Sequence, residues 1–131
     1  MPHLTIEYSA NLEVDVDLSA LCERLRDVLL ASGLFELGAI RVRAIRADHY
    51  AIADNLPENA FADLRLRLGQ GRLEVEREAL GVRVMQAAST HFAAQLAKPH
   101  FALSLEIVEI DSRFSWKTNA IHPRLRGAGG K

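Results

Sequence analysis

The residues with chemistry to offer are a proline at the start of the chain and a scatter of arginines. Pro2 opens the stretch His3-Leu4-Thr5-Ile6-Glu7-Tyr8-Ser9, in which Leu4, Ile6 and Tyr8 alternate with polar residues, the pattern of a strand with one buried face. At a strand start proline does no harm, because its missing N–H is not needed by the ladder. If Met1 is removed, the same residue becomes a secondary amine held rigidly on the end of a buried strand, which suits it to general-base work. The plain strand-start role is the commoner use of such a proline, and Pro2 alone does not decide between the two.

Arginine supplies the second signal. Arg41 and Arg43 share one face of a strand-like stretch, Arg67 stands near the end of another, and Arg72 follows Gly69-Gln70-Gly71 where a helix begins. Guanidinium groups bind carboxylates through paired hydrogen bonds, and a helix N-terminus favours anions. Several of them converging would suit a substrate with more than one carboxylate. Taken singly, each is more readily an exposed arginine paired with Asp or Glu.

Other reactive side chains point nowhere so definite. His3 and His49 could ligate or shuttle protons, but the five histidines show no metal-type spacing. His91 reads as a packed or capping residue. Cys22, the single cysteine, lies in a helical apolar stripe and reads as a small buried side chain. No Ser-His-Asp or Cys-His constellation is evident.

The elements that must position these residues follow from periodicity. After the first strand, Asp17 is a good N-cap for a helix whose stripe is Leu18, Leu21, Cys22, Leu25, Val28 and Leu29, stopped by Ser32-Gly33. Ala39 to Ala47 is predicted as the second strand, and 48–59 as a loop. Ala60 to Leu68 alternates as a third strand. A long helix is predicted from Leu73 to Leu96, and Phe101 to Ile110 as the fourth strand. The chain thus reads as α+β, a βαβ unit followed by a second one of about the same size.

Two helices cover one face of a four-stranded sheet. The other face would carry Thr5, Glu7, Arg41, Arg43, Arg65 and Arg67 with Ile45, Phe61 and Val108, a mixture that association with further copies would resolve. Phe114, Trp116 and Ile121 lie outside any periodic element, and packing on a neighbouring subunit is a natural place for them. Residues 124–131 read as a flexible basic tail beyond a domain of residues 1–123. With 131 residues, 49% hydrophobic and 25% charged, the chain is one ordinary domain. Its net charge of −1 gives no reason to expect nucleic acid or an anionic membrane as partner, and no apolar run would span a bilayer, so a cytoplasmic protein is expected.

In order along the chain, Met1-Pro2-His3, Glu7-Tyr8-Ser9-Ala10-Asn11, Gly38-Ala39-Ile40-Arg41-Val42-Arg43, Gly69-Gln70-Gly71-Arg72, His91-Phe92-Ala93 and Ala102-Leu103-Ser104-Leu105-Glu106-Ile107 resemble the 5-carboxymethyl-2-hydroxymuconate isomerase family. That family lies in the tautomerase superfamily, with 4-oxalocrotonate tautomerase and macrophage migration inhibitory factor. The resemblance runs from Met1 to about His122. It implies a homotrimer of duplicated βαβ subunits without metal or organic cofactor, acting on a small dienol carboxylate in homoprotocatechuate degradation. It also implies that Met1 is removed and that Pro2 is the catalytic base. Arg41 and Arg72 match arginines that hold and polarise the substrate, and Arg43 and Arg67 are nearby basic candidates. Other readings stay open: a decarboxylase or hydratase-like activity of the same superfamily, a non-catalytic small-molecule sensor with the same element order, or a protein-interaction role like that of the cytokine relative.

Overall fold

The computed structural model describes residues 1–129. Strand β1 (His3–Ser9) runs parallel to β2 (Arg41–Ala47) and antiparallel to β3 (Ala60–Gly69), which runs parallel to β4 (Phe101–Ile110). The sheet order is β2-β1-β3-β4, so the two βαβ units meet through their first strands.

Helix α1 (Leu18–Ala31) starts where Asp17 accepts a hydrogen bond from the Ala20 N–H at 3.0 Å, and it buries Leu18, Leu21, Leu25 and Leu29. Gly33, at φ 75°, takes the left-handed conformation that ends it. Helix α2 (Glu74–His91) begins with Glu76 accepting from the Leu73 N–H at 2.9 Å and buries Leu80, Val84 and Ala88. Both lie on the face that carries Leu4, Ile6, Leu64 and Leu66, each fully buried. Removing one such side chain from water contributes roughly 1.5–3 kcal/mol, so this layer dominates the stability of the fold.

Three expectations change. The second strand starts at Arg41 rather than Ala39, because Leu37–Ala39 forms a 3-10 turn against the C-terminal segment. The second helix is not continuous to Leu96. Phe92 leaves helical geometry at ψ 20° and buries its ring 4.9 Å from that of Phe101, and a short helix α3 (Ala93–Leu96) follows. Leu96, expected in the buried stripe, is therefore exposed. The third change concerns the expected flexible tail. Its residues to Gly129 belong to helix α4 (Ile121–Gly129), tied down by Arg126, which donates from Nε to Glu36 at 2.8 Å; Gly130 and Lys131 lie outside the described residues.

The strand register puts Thr5, Glu7, Arg43, Arg65 and Ile45 on the face without helices. Among the described residues no helix is long and apolar enough to cross a membrane.

Candidate active site

The ladder that begins β1 also builds the site. Pro2 is fully buried, and its carbonyl accepts the Arg41 N–H at 3.1 Å, which fixes the chain end against the start of β2. His3 faces Arg41 across one ladder and Arg67 across the other. A small cavity of about 180 Å³ opens here, lined by Met1, His3 and Arg67 together with Ser115, Trp116 and Lys117 of the C-terminal segment.

Each arginine singled out in the sequence has a defined place. Arg41 donates to the Gly38 carbonyl at 3.1 Å. Arg72 donates to the carbonyls of Gly69 (3.2 Å) and Leu34 (3.0 Å) and lies 4.6 Å over the Phe35 ring. Gly71, at φ 110°, makes the turn that brings Arg72 back under the end of β3. Arg43 sits one step along the ladder and donates to His3 Nδ1 at 3.4 Å. None of these four arginines makes an ion pair among the described residues, whereas Arg65 pairs with Glu106 at 3.0 Å and Arg46 with Asp48 at 2.7 Å. The ordinary surface-pair reading thus describes Arg65 and Arg46, while the arginines near Pro2 keep their charge uncompensated.

That charge acts on the chain terminus. The Met1 amine is held below its ordinary value of 8.0, first by burial and then by the charges of Lys117, Arg72 and Arg41. His3 is held below 6.5 by burial, then by Arg67, Arg43 and Arg41, in keeping with a neutral ring that accepts from Arg43. With Met1 attached, the Pro2 nitrogen is an amide without basicity. Removal of Met1 would put an amine at the buried strand end, in the same field of cations.

The sequence missed the wall made by the C-terminal segment. Asn119 donates to the Gly38 carbonyl at 2.9 Å, and its Oδ1 accepts from the N–H groups of Ile121 (2.8 Å) and His122 (3.1 Å), capping α4. Gly38 is needed for this docking, since a Cβ there would stand 2.8 Å from His122 Nδ1 and 3.3 Å from its Cα. Asn-Ala ahead of an apolar residue was the available cap signal, but nothing local says where the helix docks.

The other candidates lie apart. His91 bonds the Asp17 carbonyl through Nε2 at 3.0 Å, a packing role, and burial raises the Cys22 thiol pKa. Among the described residues no three His, Cys, Asp or Glu side chains are grouped as metal ligands would be.

A duplicated βαβ sheet, with a proline at the start of an interior strand and arginines without ion pairs near it, is the arrangement that the resemblance to the tautomerase superfamily implies. The fold agrees with a structure described as a W0 fused 4-OT wild type symmetric trimer, matched at TM-score 0.69 and 12% identity over 88% of this chain and 93% of that one. The chain belongs to the 5-carboxymethyl-2-hydroxymuconate isomerase family, whose model matches residues 2–125. It is 34% identical over 122 residues to the 5-carboxymethyl-2-hydroxymuconate Delta-isomerase of Escherichia coli, covering 93% of this chain and 97% of that protein. It is also similar to a crystal structure of a 5-carboxymethyl-2-hydroxymuconate isomerase from Deinococcus radiodurans R1, with TM-score 0.90 and 42% identity over 95% and 94% of the two chains.

Proposed function

We propose that the chain ketonises 5-carboxymethyl-2-hydroxymuconate, with the Pro2 amine, freed by removal of Met1, as the base. The amine takes the proton of the 2-hydroxyl. The oxygen electrons then form the C2 carbonyl, the C2–C3 double bond moves to C3–C4, and the C4–C5 double bond takes the proton at C5. One proton leaves and one arrives, so the step needs no oxidant or further reactant.

The observation that carries this reading is the gathering of unpaired cations around a buried strand start. Arg41 and Arg72 bind substrate carboxylates and stabilise the charge that develops on the 2-oxygen, a contribution of roughly 3–4 kcal/mol per well-placed donor. Arg67 and Arg43 add to the field, and all of them favour the neutral amine. The working form is a cytoplasmic homotrimer. Association of copies is supported by the apolar groups left uncovered on one chain, with Trp116 85% and Phe114 70% exposed and Ile45 and Val108 open on the helix-free face.

The test joins intact-mass determination with an ultraviolet assay of ketonisation. Protein lacking Met1 is expected to turn over, and Pro2→Ala, which leaves a primary amine, to keep part of that activity. Turnover by protein of verified mass that retains Met1 would refute Pro2 as the base.

A further inference from the structure

We propose that Lys117 is a substrate-binding cation of this site, and that it takes the carboxymethyl carboxylate. The assignment rests on the substrate proposed above, which carries three carboxylates: the two ends of the conjugated chain and one on a flexible single-carbon arm.

Three observations place Lys117 there. It lines the same cavity as Met1, His3 and Arg67, so its side chain and the chain terminus share one space. The segment that carries it lacks regular structure yet is pinned at both ends. On one side Gln70 Oε1 accepts from the Ser112 N–H at 3.3 Å and from the Ser112 hydroxyl at 3.2 Å. On the other, Asn119 is fastened to the Gly38 carbonyl that also receives Arg41. Finally, Lys117 forms no hydrogen bond or ion pair among the described residues, so its donors are available. The Met1 amine feels Lys117 more strongly than it feels any arginine.

The division of labour follows from the shapes of the two cations. A guanidinium is a planar fork that matches a carboxylate held in a fixed plane, as the conjugated chain holds its own. An ammonium is a compact charge with three rotating donors on a flexible stem, and it can follow a carboxylate on an sp³ arm. Arg41 and Arg72 are further restrained by their bonds to backbone carbonyls, whereas Lys117 is not.

The experiment compares wild type, Lys117→Met and Lys117→Arg, each lacking Met1 by intact mass. Two dienols are used: 5-carboxymethyl-2-hydroxymuconate, and 2-hydroxymuconate, which lacks the arm. Lys117→Met is expected to lower kcat/KM about tenfold on the first, the loss of one ordinary charged contact, and less than about twofold on the second. Lys117→Arg should recover most of the loss, and Tm should not move, since the side chain is exposed. Equal losses on both dienols would overturn the assignment to the arm, and no loss on either would overturn a role in binding. A calorimetric titration with propane-1,2,3-tricarboxylate and with glutarate separates this inference from the reaction itself. If wild type ketonises neither dienol, the proposed reaction falls. Weaker binding of the tricarboxylate alone in Lys117→Met would then still uphold Lys117 as a carboxylate site, and unchanged or absent binding would overturn it.

Discussion

The two strands that open the duplicated units, β1 and β3, are antiparallel, so their starts lie at opposite ends of one sheet and can be compared directly. At the start of β1 the Pro2 carbonyl receives the Arg41 N–H; at the start of β3 the Ala60 N–H donates to the His100 carbonyl at 2.8 Å. The side chains around these matching joints differ completely. Beside Pro2 stand Arg41, Arg67, Arg72 and Lys117, all without a carboxylate partner among the described residues. Beside Ala60, hydrogen bonds converge on buried Asn59. It donates to Asp54 at 2.7 Å and to the Ile52 carbonyl at 3.1 Å, its Oδ1 meets His100 Nδ1 at 3.2 Å, and its carbonyl accepts from Asn11 at 2.8 Å. One backbone joint thus serves two ends: one is filled by a hydrogen-bond network centred on Asn59, and the other holds like charges together around a chain terminus. Self-repulsion at the second end is relieved by an anion, which is what a polycarboxylate substrate supplies.

The strongest way to break this contrast is to remove the amine. Acetylating Pro2, or retaining Met1, should lower kcat/KM by about 10²–10⁴-fold, the range a positioned base contributes, with the circular-dichroism spectrum unchanged. Next in size, Arg72→Ala should cost about 10²–10³ in kcat/KM, yet only about 1 kcal/mol of unfolding free energy for the lost carbonyl bonds and the Phe35 contact. Urea titration beside steady-state kinetics checks the ratio, and comparable losses in both would make Arg72 structural. The opposite end should behave in reverse. Asn59→Ala leaves several buried groups unpaired and should destabilise the fold by about 2 kcal/mol while kcat/KM per folded molecule stays level. A matching fall in activity would show that the two ends are coupled.

The smallest effect concerns pH. Burial and neighbouring positive charge hold the Met1 amine below its ordinary 8.0. A Pro2 amine freed at the same strand end would be a cation when protonated, and the same causes are expected to lower its pKa. The active free base therefore predominates above that lowered pKa, and kcat/KM declines as pH falls through it. Taking one charge away with Lys117→Met should move this limb to higher pH, and Asn59→Ala should leave it in place.

Much of this was legible from local pattern. Strict alternation in β1 and β3 follows from one buried face, and Asp17 and Gly33 bracket α1 because a cap and a left-handed residue are local requirements. Spacing made Arg41 and Arg72 candidates, and only the family resemblance gave them a role; their nearness to one chain terminus was not legible, because it depends on β1 pairing with both β2 and β3. The break at Phe92 was hidden, since Phe92 and Leu96 keep helical spacing, and the packing of the Phe92 ring against Phe101 of a distant strand is not a local signal. Lys117 lay beyond any local rule. Its position depends on Asn119 reaching Gly38 across 81 positions of sequence, and on a glycine whose missing side chain makes room for His122.

The burial of Pro2 bears on how the protein matures. A methionine exopeptidase must draw the first residues of its substrate, in extended form, into its own cleft. Here those residues lead into a strand paired on both sides, with Pro2 out of reach of solvent and Met1 half-buried. Trimming a finished molecule would mean drawing Pro2 out of its buried place and breaking its bond to Arg41 at the start of an interior strand. On the chemistry proposed above, the methionine must therefore go while the chain is still emerging from the ribosome. On the same proposal, a copy that folds first would keep a plug over the site, and the specific activity of a preparation would record a race between trimming and folding.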